Sequence, residues 1–368
     1  MIKIKYNIDL KILRERYLNV FNLEAMRNNW APYENTFGIE IDALLTADFE
    51  ELVNLYYLYK STDLTEDQTN DLKSLFDYEC YQPKLAWFFM NPENKFDFST
   101  CHYCNTAYIN AYGRGDSYQN VLDSVNNATR ADWRCWFSED ALSDVSITQI
   151  LSEKPYRSLS EFNGKKYLYK NIELYSCMTL APKNNQFDLD HILPKKLCPI
   201  TSLSLFNLAP SCQVCNEKLK QTRELAKNKT DWLKVSPTYQ GNSFDQDVSI
   251  MMIPEVSCST FFELMRNRDN YRLEFDTHKE SVYEDYVTTF RLRDRYNYHK
   301  KLALQILDLK ERYSEEKIKE ISRMLSKRPD GKIEPKYSET QIREDIFRMD
   351  FSKDRCFSKL HKDMMERN

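Results

Sequence analysis

The chain has 368 residues and a formal net charge of −4, with six glycines against 24 tyrosines and 20 phenylalanines. That length suits two or three domains, and the glycine-poor composition fits a mostly helical α+β protein better than a β-sandwich. No apolar run approaches the roughly 20 residues that cross a bilayer, and the modest negative charge does not mark a general nucleic-acid binder.

The opening Met1-Ile-Lys-Ile-Lys-Tyr6 alternates as a strand does and does not read as a secretory leader. Leu10, Leu13, Tyr17, Val20 and Phe21 then recur at helical spacing, and two further amphipathic helices are predicted around Phe49 to Tyr59 and Glu66 to Phe76. Residues 1–95 therefore form a predicted helical region, closed by Asn91-Pro92-Glu93-Asn94. Residues 96–235 carry the chemistry. Within them an insertion of about 106–180 holds Gly113-Arg114-Gly115-Asp116, a predicted helix near Asn120 to Arg134 and a strand pattern over Tyr167–Tyr175. Residues 236–368 are predicted to be mainly helical. Tyr283, Tyr286, Val287 and Phe290 share one face, and Leu302, Ile306, Leu309 and Tyr313 another. Ser314 opens a helix with Ile318, Ile321 and Leu325 inward, Pro329-Asp330-Gly331 is a turn, and Ser338 with Gln341 forms a capping box.

Charge is unevenly distributed. Glu40 to Glu79 is acidic and reads as a solvated face, whereas Pro194 to Lys234 is basic. Such a local patch can hold phosphates. The ten cysteines, in a chain without a leader pattern, point to a reducing, cytoplasmic setting and to metal chemistry rather than disulfides. Cys80, Cys135, Cys177, Cys198, Cys258 and Cys356 lack ligand spacing and read as buried small hydrophobes.

The other four form two Cys-x-x-Cys hooks, Cys101 with Cys104 and Cys212 with Cys215. Four thiolates in two short hooks suit a closed, tetrahedral, structural Zn²⁺ site. Between the hooks lies Phe187-Asp-Leu-Asp190-His191-Ile-Leu-Pro-Lys195. Asp190 is a hard oxygen ligand suited to Mg²⁺ or Mn²⁺, and the neutral imidazole of His191 can take a proton from water near pH 7. Asn207, in Leu-Phe-Asn-Leu-Ala-Pro, can fix the loop or orient the His191 ring through its amide oxygen. Asn216 follows the second hook, in the first turn of a predicted helix, where its side-chain oxygen can join Asp190 on a divalent ion. Lys195, Lys196, Lys218 and Lys220 are candidate phosphate contacts.

This wording, Asp190-His191 followed by Asn207 and then Cys212-Gln-Val-Cys215-Asn216, resembles the HNH endonuclease family, in particular its zinc-stapled variants with Asn in the last position. The resemblance covers the motif and the Cys101 hook. It implies a central ββα-metal, treble-clef-like core flanked by helical regions. It also implies His191 as general base, Asp190 and Asn216 as ligands of one catalytic ion, and Asn207 as the residue that orients loop and base. Family members often have His where Asn216 stands and Lys where Leu219 stands. The resemblance implies hydrolysis of DNA phosphodiesters, with RNA left open, and a nick as the elementary event. The layout and the Cys-x-Tyr-Cys wording are also similar to the HNH subunits of Septu-type anti-phage defence systems, which implies an ATPase partner. The competing readings are a non-catalytic zinc-stapled nucleic-acid-binding module and a protein-interaction adaptor. Neither needs Asp190, His191 and Asn216 together. A zinc deaminase is disfavoured, because Leu193 stands where that chemistry places Glu.

Overall fold

A computed structural model describes residues 2–96, 99–112, 121–127, 129–130, 133, 144–158, 160–161, 184–255, 268–326, 338–347 and 355–366. The chain divides into two units. The N-terminal unit comprises Ile4–Asp97 with Ile109–Ala209, and the C-terminal unit Met1–Lys3, Phe98–Tyr108 and Pro210–Asn368. The Gly113–Asp116 segment, the Tyr167–Tyr175 strand pattern, Cys135, Cys177, Cys258 and the Pro329–Gly331 turn lie outside the described residues.

In the N-terminal unit six helices precede the chemistry: α1 Leu10–Leu18, α2 Leu23–Phe37, α3 Ile41–Thr46, α4 Phe49–Ser61, α5 Glu66–Leu75 and α6 Tyr78–Met90. Their starts follow from short polar side chains that accept from otherwise orphaned backbone N–H groups. Asp9 accepts from Lys11 N at 2.8 Å and Asp48 from Glu51 N at 2.9 Å, while Thr65 and Gln68 close a reciprocal capping box. The helix α2 stops at Gly38, whose φ of 66° is left-handed and whose N–H returns to Glu34 O at 2.7 Å. The buried faces are aromatic. Trp30 stacks on Phe37 and meets Phe76 edge-on, and Tyr17 meets Phe88 edge-on. The buried indole of Trp30 donates to Ile39 O at 2.8 Å.

The N-terminal region departs from the sequence reading at three points. Among the described residues, 2–6 form no regular strand; Tyr6 makes an isolated bridge with Phe96. Helices α2 and α6, which contain Pro32 and Pro83, were not predicted at all. Cys80 is exposed rather than buried, since α6 turns its thiol toward Asp77 at its own N-terminus.

The insertion contributes β1 (Ala111–Tyr112), α7 (Val121–Asn127), α8 (Asp144–Ser152) and β2 (Asn184–Asn185), with β1 antiparallel to β2. Next comes β3 (Asp188–His191), paired with β4 (Leu208–Ser211). Between β3 and β4 the chain makes two 3₁₀ turns, Pro199–Thr201 and Leu205–Asn207.

The C-terminal unit contains both cysteine hooks. After the second hook come α9 (Lys229–Val235), α10 (Phe244–Asp247) and an antiparallel pair, β5 (Ser249–Pro254) with β6 (Tyr271–Asp276), in register from Ser249↔Asp276 to Pro254↔Tyr271. This pair was not predicted in a region read as mainly helical. Helices α11 (Ser281–Thr289), α12 (Leu292–Tyr298), α13 (Lys301–Arg312), α14 (Glu315–Ser326), α15 (Glu339–Phe347) and α16 (Ser358–Glu366) complete it. Tyr283, Tyr286, Val287 and Phe290 are all buried, as their spacing predicts. Ser338 and Gln341 form the expected reciprocal cap on α15. Ile318 is buried, but Leu325 is 51% exposed, so the inward stripe of α14 ends before its last turn. Helix α16 packs on β5, where Asp363 accepts from Ile250 N at 2.7 Å and pairs with the buried Lys359. Among the described residues no helix is long and apolar enough to cross a membrane.

Candidate metal centre and buried histidine site

The first hook is shaped by its own backbone. Thr100 bridges Tyr108, Cys101 N donates to Ala107 O at 3.0 Å, and Asn105 N returns to Cys101 O at 2.9 Å. Asn105 then adopts φ 54°, a left-handed turn that Asn tolerates better than most residues. Thr106 donates to Cys104 Sγ from its N–H at 3.4 Å and from its hydroxyl at 3.3 Å. The second hook repeats the plan, with Cys215 N and Asn216 N both donating to Cys212 O, at 2.9 and 3.1 Å. It leads into a π-helical turn, Val214–Lys220, rather than the expected α-helix. Gln221 N reaches five residues back to Asn216 O at 2.8 Å, and Gln221 ends the turn at φ 53°.

The four sulfurs lie within 4.8 Å of one another and all four cysteines are buried. They can hold a structural metal ion such as zinc. A Zn–S length of about 2.3 Å places tetrahedral sulfurs about 3.8 Å apart, inside that limit. The sulfurs press on one another's ionisation. Burial, then hydrogen bonding with Cys104 and Cys212, push Cys101 up against an opposing bond with Cys215. The other three thiols push Cys215 up. Hydrogen bonds led by that from Cys101 bring Cys212 down to about 7. Cys104 is held well below its ordinary value: burial opposes its thiolate, but hydrogen bonds from the other three cysteines and the charge of Arg295 outweigh it. By contrast, burial pushes the Cys198 thiol up to about 12, which fits the inert, buried role expected of it.

C-terminal helices close over the hooks. The Tyr286 hydroxyl of α11 donates to Tyr103 O at 2.9 Å, and that of Tyr296 on α12 to Cys104 O at 3.1 Å. Tyr103 stacks on Phe290 with centroids 4.7 Å apart. Asn105 is held from the chain's far end, accepting from Lys359 N at 3.2 Å and donating to Arg355 O at 2.8 Å. His102, between Cys101 and Cys104, is buried and its Nδ1 donates to Ile2 O at 2.9 Å; burial lowers its pKa to about 4.

In the N-terminal unit β3 brings Asp190 and His191 together, both buried. His191 Nε2 lies 3.0 Å from the carbonyl oxygen of Ser202. A carbonyl only accepts, so Nε2 carries the proton and the basic lone pair of the neutral ring is on Nδ1. The ring packs edge-on against Tyr78, with centroids 4.5 Å apart. Burial, then the charges of Glu79, Asp188 and Asp190, raise the Tyr78 pKa, so the phenol keeps its proton and donates to Leu189 O at 3.3 Å.

Asn207 is fully buried and acts on the loops. Its Oδ1 accepts from Leu193 N at 2.7 Å, and its Nδ2 donates to Leu193 O at 3.2 Å and Thr201 O at 2.9 Å. It therefore ties the segment after His191 to the turn that presents Ser202, and its amide oxygen serves Leu193 N. Of the two roles expected for it, the structure displays loop fixation. The same turn is anchored to the helices. Tyr17 donates to Leu203 O at 2.8 Å, Ser202 Oγ to Phe76 O at 2.8 Å and Ser204 Oγ to Leu44 O at 2.9 Å. The N-terminal helices thus set the position of the histidine's partner.

The remaining expected residues are placed as follows. Lys195 is ion-paired with Glu79 and sits 4.7 Å over the Tyr78 ring, while Lys196 is exposed. Asn216 and Lys218 belong to the C-terminal unit; Asn216 is half-buried and Lys218 exposed. Lys220 is buried, which removes it from the residues that can meet an external phosphate. Sequence reasoning missed Tyr78, Glu79 and Ser202 at the histidine and Arg295 at the cysteines. None carries a motif signal, because each reaches its place through tertiary packing. No protein-family model, curated protein or solved structure matches this chain.

Proposed function

We propose that this chain is a metal-dependent HNH-type endonuclease that hydrolyses DNA phosphodiester bonds, with Cys101, Cys104, Cys212 and Cys215 holding a structural zinc. The observation that carries the reading is the buried Asp190-His191 pair whose ring is pinned through Nε2 to the Ser202 carbonyl. That pin selects the tautomer a general base requires, and the carbonyl stabilises the imidazolium formed when Nδ1 takes the proton of an attacking water. Asn207 and Tyr78 hold the ring's surroundings fixed, so little reorganisation accompanies proton transfer. Asp190 supplies a hard oxygen for Mg²⁺ or Mn²⁺; the assignment of Asn216 as its co-ligand rests on the sequence motif. A divalent ion there supplies Lewis-acid stabilisation of charge on the phosphate and the leaving 3′ oxygen. The exposed Lys196 and Lys218 are cations for flanking phosphates. The products carry 5′-phosphate and 3′-hydroxyl, and one site makes one nick. Residues 96–235 are the proposed nuclease domain. Likeness in layout to Septu-type subunits supports an ATPase partner, which co-purification with a co-expressed candidate ATPase tests.

The deciding experiment is nicking of supercoiled plasmid by purified protein with Mg²⁺, Mn²⁺ or EDTA, beside His191→Ala. Metal-dependent nicking that drops at least ~100-fold in the variant is expected. Equal cleavage by His191→Ala and wild type would remove His191 as the base. Absence of cleavage by a folded, metal-loaded chain, with and without a candidate ATPase, would sink the nuclease reading.

A further inference from the structure

We propose that Arg295 is a positioning residue of the four-cysteine centre, bridging its two hooks and compensating the charge of the metal–thiolate cluster. This rests on the metal reading of the cysteines.

The guanidinium of Arg295 forks across the hooks. Its Nη1 donates to Cys215 Sγ and its Nη2 to Cys104 Sγ, each at 3.2 Å. One ligand from each hook is thereby held by one rigid plane, a geometry that two-pronged Arg reaches and Lys does not. The contrast with Arg293, two residues earlier on α12, is informative. Arg293 is clamped by the carboxylates of Glu284 and Glu274, as surface arginines usually are. For Arg295, the only side-chain partners among the described residues are the two sulfurs. A half-buried guanidinium without a carboxylate is costly unless another anion faces it.

A divalent ion with four thiolates carries a net charge of −2. Burying that charge is unfavourable, and Cys101, Cys104 and Cys215 are at most 1% exposed. Arg295 brings the cluster with its surroundings to −1 and gives two sulfurs charge-assisted donors. Thr106 adds neutral donors to Cys104. Groups that hydrogen-bond to metal ligands fix ligand orientation and tune metal affinity. Arg295 stands on the same short helix as Tyr296, whose hydroxyl holds Cys104 O, so α12 contributes both a sulfur contact and a backbone contact to the centre.

The test uses the full chain as wild type, Arg295→Met, Arg295→Lys and Tyr296→Phe. Three quantities are read: zinc per chain, the rate of zinc transfer to a chromogenic chelator, and the thiolate-to-metal charge-transfer band of the Co²⁺-loaded protein. Arg295→Met is expected to release zinc about 10–100-fold faster. Its charge-transfer band should move to lower energy, because sulfurs that lose donors give up electrons more readily. Arg295→Lys restores the charge but not the rigid planar fork, so it should fall between Met and wild type on both readouts. Tyr296→Phe removes a backbone anchor and should leave the band in place. If Arg295→Met does not fold, Arg295→Lys against Tyr296→Phe decides. Wild-type release rates and an unmoved band in the Arg295 variants overturn the proposal. A wild-type chain that takes up neither zinc nor cobalt overturns the metal reading itself.

Discussion

The two units fix a short, chemically important loop in different ways. In the C-terminal unit four sulfurs converge, and the surrounding donors, Thr106, Tyr286, Tyr296 and Arg295, address either a sulfur or the backbone of a hook. In the N-terminal unit the loop after β3 is held by one buried amide, Asn207, and by hydroxyls of Tyr17, Ser202 and Ser204. A metal staple can be removed by a chelator; an amide network comes apart only with the core it belongs to. Structural rigidity in one unit should therefore depend on metal and in the other on packing.

The sharpest way to break that contrast is to remove the staple. Cys215→Ser, or chelation of the wild type, should abolish stoichiometric zinc and destabilise the C-terminal unit by several kcal/mol. Structural zinc contributes about 10–16 kcal/mol in small zinc-binding peptides, and only part of this unit depends on the hooks. Amide exchange should accelerate around Tyr103, Tyr286 and Tyr296, while the Trp30 and Tyr17 regions keep their protection. Equal loss in both units would show that the N-terminal core relies on the metal as well.

The amide network is next. Asn207→Ala strands Leu193 N and removes the donor to Thr201 O, inside a region with no solvent to replace them. A loss of about 3 kcal/mol is expected from leaving buried groups unsatisfied, read by urea denaturation, with zinc content unchanged. If Asn207→Ala costs less than about 1 kcal/mol, the loop is held by its neighbours rather than by this side chain.

Much of this division was legible in the chain, and the limits are physical. Features set by residues close in sequence were readable: the two cysteine hooks, the Ser338–Gln341 cap, and the faces of α1, α4, α5 and α11. Those that depend on distant partners were not. Arg295 meets Cys104 across 191 positions, and Tyr78 meets Leu189 O across 111. Helices α2 and α6 hid behind Pro32 and Pro83, which argue locally against a helix and are overruled by the burial of Trp30, Phe37, Phe88 and Phe89. The β5–β6 pair escaped because residues 255–270 separate strands that periodicity treats one at a time. Exposure is also a tertiary property, which is why Lys220 and Cys80 were each placed on the wrong side of the surface.

A smaller effect separates packing from hydrogen bonding at the histidine. Tyr78→Phe keeps the edge-on contact with His191 and loses only the bond to Leu189 O. It should cost about 1 kcal/mol and leave plasmid nicking within a few-fold of wild type. Tyr78→Leu removes the ring as well and should lower nicking further than stability alone accounts for. Equal nicking by the two variants would mean that the ring does not position His191.

The smallest expected effect is a pH dependence of the C-terminal unit through His361 on α16. Burial, then the nearby charge of Arg355, lowers its pKa, and its Nδ1 has no hydrogen-bond partner among the described residues. The folded state therefore binds this proton less readily than the unfolded chain, whose histidines titrate near 6.5. The stability that His361 contributes is complete above about pH 6.5 and falls as the pH drops through that value toward the lower, folded pKa. His361→Leu cannot take up the proton, so its denaturation midpoint should change less than that of the wild type between pH 7.5 and 5.5, both chains zinc-loaded. Parallel pH profiles would show that His361 protonates equally in both states, and that the acid sensitivity of this unit resides in the sulfurs instead.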